Sequence, residues 1–360
     1  LMTGGEIDNT GFIYADGGFS MSGGKLGMTV DQGLTRLSTE DADFSATGGE
    51  IAGEGEIAGR NISLSGTLAL NAAGIDIAAD ETLTTEGDFT AGDASAKTLS
   101  VLSGTFAAAN VDARTGTVAA DAALHTKALA LQKDDVFTVE GTLDVEALDA
   151  KAEGRIVNKK NLVFSNAGET AGATIVMQGA DAAMTIREEG AFFKNTNFEV
   201  TDGAVTDLAD YGRSTLGEGN AYVVENTSWQ GAITPDGESH VDASAFDGMS
   251  TLRVANLTSE GTVTLNHGGL LETNSVNLTS PDTVHLSGGA LMTKLGGMFE
   301  GVTSESILIN AESPDDSVVV DSSLLGVSEL GSLKTGIDTG IDWQSGTIAF
   351  TDDYVGLSVV

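Results

Sequence analysis

The chain has 360 residues, 47 of them Gly and 3 Pro, no Cys, and a formal net charge of −36. A surface this acidic repels nucleic-acid phosphates and anionic lipid, so neither is expected as a partner. At 5% aromatics the chain also lacks the rings that a globular core of this length normally uses. No stretch of about 18 apolar residues occurs, so no membrane insertion by this segment is expected.

Residues 1–60 are punctuated by Gly pairs: Gly4-Gly5, Gly17-Gly18, Gly23-Gly24 and Gly48-Gly49. Each leads into an alternating run such as Leu26-Gly27-Met28-Thr29-Val30. A Gly pair supplies the positive φ that a corner between strands needs, and the alternation is the period-2 signature of a strand. In 61–150, Leu64-Ser65-Gly66-Thr67 returns as Leu102-Ser103-Gly104-Thr105, two periods of 19 later. The Ala runs here, Ala107-Ala108-Ala109 above all, have helix propensity. Thr, Val, Gly and Asp interrupt them every few residues, which favours small inward residues of a tight coil.

Residues 151–250 are the least regular. The stretch 206–220 looks like a loop that leaves the coil. Its Asp207, Asp210, Tyr211 and Arg213, with Trp229 just beyond, form a candidate ligand-contact excursion. The clearest repeat is 256–289, where Asn256-Leu257-Thr258-Ser259, Thr262-Val263 and Leu265 recur 21 residues later as Asn277-Leu278-Thr279-Ser280, Thr283-Val284 and Leu286. A period near 20 with strand-type patterning is the mark of a stacked β-coil. It predicts ladders of Val263 on Val284, Leu265 on Leu286, Leu257 on Leu278 and an amide ladder of Asn256 on Asn277. About 20 residues per coil implies roughly 15–18 coils. Residues 311–360 change texture, with 322–334 a short helix or irregular, and read as terminal coils or the start of a C-terminal cap. The expected fold is all-β: a parallel β-helix, or β-solenoid, with its body over 1–310 and a loop-bearing section around 151–250. Right-handedness follows from the general rule for parallel crossovers.

Motifs for chemistry are sparse. His125, His240, His267 and His285 read as surface histidines, and His267 is out of register with His285. Asp134-Asp135, Asp315-Asp316 and Asp352-Asp353 are paired acids in a chain where acids are abundant. Calcium is the most plausible cation for them, yet the nonapeptide calcium-roll pattern and the EF-hand loop are both missing. No Gly-x-Ser-x-Gly elbow, P-loop or dinucleotide fingerprint is present. No cofactor, catalytic residue or metal site is therefore assigned.

The Gly-Gly-x-Leu corners, Ser-Gly-Thr strands and Asn-Leu-Thr-Ser-x-x-Thr-Val-x-Leu coils, in an acidic chain without Cys, resemble the passenger region of bacterial autotransporter adhesins. The resemblance covers most of 1–310 and lies in texture. It implies an exported right-handed parallel β-helix, displayed at the outer membrane or secreted. No protease-type nucleophile motif can be carried over from the family, and no enzymatic activity is expected. It also implies host glycans, matrix proteins or sister rods as partners. The start at Leu1, without a signal-peptide pattern, fits an internal piece of a longer precursor. A β-helical polysaccharide lyase or hydrolase is the alternative. It requires a cleft with acids from neighbouring coils, an Arg or Lys, and aromatic walls.

Overall fold

A computed structural model describes residues 1–30, 35–150, 154–166, 173–187, 196–208, 214–216, 220–232, 240–241, 243–259, 261–278, 284–294, 309–311, 317–321 and 347–351. The described residues are almost entirely strand, with one 3-10 turn at Ala243–Phe246 and no α-helix. No helix among them is long and apolar enough to cross a membrane. Parallel strands stack as a β-solenoid of about 11 turns, about 20 residues apart. The chain divides into two compact units: Leu1–Ala167 with Thr185–Arg187, and Gly168–Met184 with Glu188–Val360.

In the first unit each coil places an apolar residue on the one before it. Ile7 lies opposite Leu26, and Leu26 opposite Ile51. Further along, Phe106, Leu124, Leu143 and Leu162 form one column, all at 0% exposure. Burying each such side chain contributes about 1.5–3 kcal/mol, which suffices for a narrow core without large rings. Where a ring is used, its neighbour gives way: Phe137 lies opposite Gly116, and a Cβ on Gly116 would run into the Phe137 ring.

The Gly pairs act at the corners, as their sequence context predicts. Gly5, Gly24 and Gly49 occupy successive coils with φ of 84°, 90° and 94°. A Cβ on Gly24 would stand 2.7 Å from the Gly5 carbonyl oxygen, and one on Gly49 2.5 Å from that of Gly24. Only Gly meets both the dihedral and the close approach. Other corners use buried Asn. Asn9 accepts from the Gly11 amide at 3.1 Å, Asn158 from Lys160 at 3.2 Å, and Asn226 from Ser228 at 3.1 Å. These side chains imitate a backbone turn.

In an acidic chain, cations gain most when they face acids of adjacent coils. Lys25 Nζ lies 3.9 Å from Glu6 and 3.7 Å from Glu50. Arg36 pairs with Glu56 at 2.7 Å and Lys159 with Glu140 at 3.2 Å. The contacting atoms of Arg36 and Glu56 are buried, whereas the Lys pairs are half-exposed, worth little each and screened by salt. Lys25→Ala is therefore expected to cost about 0.5–1 kcal/mol at low ionic strength and close to nothing in ~1 M NaCl, read from urea unfolding at the two salt concentrations.

In the second unit Ile175, Phe198, Tyr222 and Val263 form a column at 0–1% exposure. The Phe198 and Tyr222 rings meet edge-on at 5.8 Å and 74°. Coil length is less even here. Ile175 is followed by Phe198 after 23 residues, but Tyr222 meets Val263 only after 41. Longer coils are one reason for about 11 turns rather than the larger number that a uniform period implies.

Two sequence expectations change. The ladder of the 256–289 repeat holds for Val263 on Val284 and Leu265 on Leu286. In the neighbouring strand, however, Leu257 pairs with Val276 and Asn256 with Ser275, so the expected Leu257–Leu278 and Asn256–Asn277 ladders are out of register by two. A shift of two leaves the same faces inward, so the core tolerates it. Likewise the described parts of 206–220 include coil strands, while 209–213 and 217–219 lie outside the described residues. Val205–Asp207 and Ser214–Leu216 both pair with the coil strand Ser250–Ser259. A further 24 residues of chain separate Ala221–Glu225 from Ser250–Ser259.

Candidate functional site

The strands Ala122–Leu131 and Thr142–Ala150 pair in parallel and set His125 opposite Asp144. Period-2 alternation turns Leu124 and Thr126 inward and leaves His125 and Lys127 exposed. Two steps along, between the pairs Val145–Thr126 and Ala147–Ala128, Glu146 comes opposite Lys127. The preceding coils carry small residues at the matching positions. Thr90 lies opposite Ala107, and Ala107 opposite His125. The step from small to large side chains leaves a cleft of about 420 Å³. Ala91, Ala107 and Ala109 are among the residues lining it, with His125, Lys127, Asp144, Glu146 and Arg187 also contributing. The expectation of inward Ala is thus half right: Ala108 is buried, whereas Ala107 and Ala109 are only partly covered.

Asp144 is the centre of the charge cluster. Its Oδ2 lies 3.2 Å from His125 Nδ1 and accepts from Arg187 Nη2 at 2.8 Å. The Asp144 side chain is only 10% exposed, against 47% for His125 and 54% for Arg187. A buried carboxylate needs such partners. The contact through Nδ1 leaves the other ring nitrogen of His125 for a ligand or proton. The Thr126 hydroxyl is committed to the carbonyls of Ala109 and Ala128, at 3.2 and 2.9 Å, so it is not a free nucleophile. Arg187 arrives by its backbone, whose amide donates to the Phe164 carbonyl at 2.8 Å.

Of the residues singled out in the sequence, Asp207 and Trp229 are described, whereas Asp210, Tyr211 and Arg213 lie outside the described residues. Asp207 pairs by backbone with Arg253, which pairs with Glu272. The three make an acid–base–acid ladder like that of Glu6, Lys25 and Glu50. The hydrogen bond from Arg253 to Glu272 raises the guanidinium above its ordinary range, against the desolvation that lowers it, and the charges of Glu272 and Asp207 add to the rise. Stability from a raised group is complete below its ordinary range and lost only as pH climbs through the folded value, so near neutrality it does not vary with pH. Trp229 is half-buried. It packs with Phe246 against Met249, Leu270 and Ala290, and its Nε1 donates to the Asp247 carbonyl at 3.1 Å. His267 stands beside its ring at 5.6 Å.

His285 pairs with Thr264, so it does not stack on His267, as expected. Among the described residues no three His, Asp or Glu converge on a point where a metal could sit. Asp135 accepts from the Gln132 amide at 2.5 Å in a tight turn. The pairs Asp315-Asp316 and Asp352-Asp353 lie outside the described residues.

The cleft itself escaped the sequence reading, which left His125 as a surface residue. A signal existed: His125 and Asp144, and Lys127 and Glu146, are each 19 apart, one coil of this unit. No family model matches the chain, and no curated protein or solved structure is significantly similar to it.

Proposed function

We propose that this chain is an adhesin-like passenger of an exported bacterial surface protein, a rigid support that carries binding surfaces on the outer faces of its coils. The observation that carries this reading is the in-register stacking of parallel coils, which repeats the same outward positions and lines them with acid–base ladders. Repeat architectures of this kind offer long, regular surfaces for recognition. The acidic, Cys-free composition supports export and solubility outside the cell. Host glycans, matrix proteins or a second copy of the chain are the partners that fit.

A second reading, a β-helical polysaccharide lyase or hydrolase, draws on the cleft. Asp144 and Glu146 stand two residues apart on one strand, about 7 Å along the backbone, within the span used by paired glycosidase carboxylates. Against it, no aromatic side chain lines the cleft among the described residues. The purified 360-residue chain, presented to arrays of glycans and matrix proteins, is expected to retain a subset of them intact. Release of shortened or unsaturated saccharide from any of them would overturn the adhesin reading in favour of the enzyme.

A further inference from the structure

Charge is distributed unusually around the cleft. The chain carries 53 acids against 17 Lys and Arg, so any anion meets a repulsive surface almost everywhere. The structure uses its cations sparingly: Lys25, Arg36, Arg60, Lys97, Lys159 and Arg253 are all spent on acids of neighbouring coils. Lys127 is different. Among the described residues its ammonium has no ion-pair or hydrogen-bond partner, although Glu146 stands opposite in the register. Arg114 is another described cation in that condition, and it does not line the cleft.

Lys127, His125 and Arg187 therefore bring three nitrogen-bearing groups to one concavity. Of the two acids beside them, Asp144 is held by His125 and Arg187. Arg187 uses Nη2 on Asp144, and its remaining donors have no protein partner among the described residues. Glu146 is exposed and has no partner among the described residues. The Ala positions keep the cleft open, and its volume of about 420 Å³ lies in the range of small-ligand sites.

We propose that this cleft binds a carboxylated sugar residue of an acidic glycan; the proposal rests on the adhesin-like reading and gives that surface a ligand class. The Lys127 ammonium and the open edge of the Arg187 guanidinium take the carboxylate through charge-assisted hydrogen bonds. Glu146 and the second nitrogen of His125 take ring hydroxyls, which both donate and accept. Among the described residues no aromatic side chain lines the cleft for a neutral sugar to stack on, so the charged groups favour the acidic sugar. An acidic peptide fits less well, because Glu146 repels a second carboxylate at the rim.

The test uses the full chain, titrated by calorimetry with a trisaccharide bearing a single glucuronate, its neutral glucose counterpart and tri-glutamate. The acidic trisaccharide is expected to bind, and the other two to bind at least tenfold more weakly. Lys127→Met should weaken that binding by about tenfold or more, as loss of a charge-assisted hydrogen bond does, without changing the melting temperature. Arg114→Met should leave binding as it was. Equal binding of the neutral sugar, stronger binding of tri-glutamate, or indifference to Lys127→Met would each overturn the assignment. If the acidic trisaccharide fails to bind while the chain still retains other ligands on arrays, the cleft assignment falls and the adhesin-like reading stands. Cleavage of the trisaccharide would bring down both.

Discussion

Phe137→Ala is expected to destabilise its coil by about 3–5 kcal/mol, the range for deleting a fully buried ring. Phe137 has 0% exposure and lies over Gly116 of the preceding coil, with Ile156 on the other side. The pair is complementary, since the ring occupies the space that a Gly116 side chain would need. Gly116→Val should therefore cost about 1–3 kcal/mol by overpacking. The double variant should cost clearly less than the two single losses combined, because the new methyls enter the space the ring has left. Stability in a stack of coils is local, so the readout is hydrogen exchange of amides in Val136–Val139 and Arg155–Asn158 rather than one global transition. Strict additivity of the two losses would show that ring and glycine do not share a site.

Gly49→Ala tests the corners. The φ of 94° at Gly49 costs an L-residue about 1–2 kcal/mol by itself. The added Cβ would also stand 2.5 Å from both the Gly24 carbonyl oxygen and the Met21 side chain. Neighbouring coils would have to part to admit it, so a total loss of about 3 kcal/mol or more is expected. Gly4→Ala is the matched control. Its Cβ meets nothing within 4 Å, so a change within about 0.5 kcal/mol is expected. Both are read from urea denaturation of the first strands. Equal effects at the two glycines would mean that coil-on-coil contact does not set the requirement for Gly.

The winding was legible because it is written in residue types that repeat at nearly fixed spacing. Val263 on Val284 and Leu265 on Leu286 follow directly from the 21-residue repeat. The register of Leu257 did not follow, since identity of letters is not identity of position. Leu257 meets Val276, not the matching Leu278, and the chain from Val276 to Val284 is two residues longer than from Leu257 to Val263. A strand pattern of period 2 fixes which face points inward but cannot distinguish a shift of two. The cleft was harder still. The pairing of His125 with Asp144 needs the 19-residue spacing of the first unit, whereas the adjoining coils shift by 18 from Ala107 and 17 from Thr90. Arg187 joins from 43 residues beyond Asp144. Composition hid the site as well, because in a chain with 53 acids one more Asp near a His carries no signal until register places them together.

The coil register itself can be tested with paired cysteines, since the chain has none of its own. Thr98 and Thr115 are exposed, 17 residues apart in sequence, and their hydroxyls lie 3.0 Å apart across adjacent coils. A Thr98→Cys/Thr115→Cys variant should form an intramolecular disulfide under mild oxidation without loss of strand content. Thr98→Cys/Asp112→Cys, displaced by three residues or about 10 Å along the strand, should not, because it exceeds the ~7 Å reach of a disulfide. Linkage of the first pair and not the second is the result that stacked coils require. Linkage of the second pair, or of neither, would contradict the winding on which the fold, the ladders and the cleft all depend.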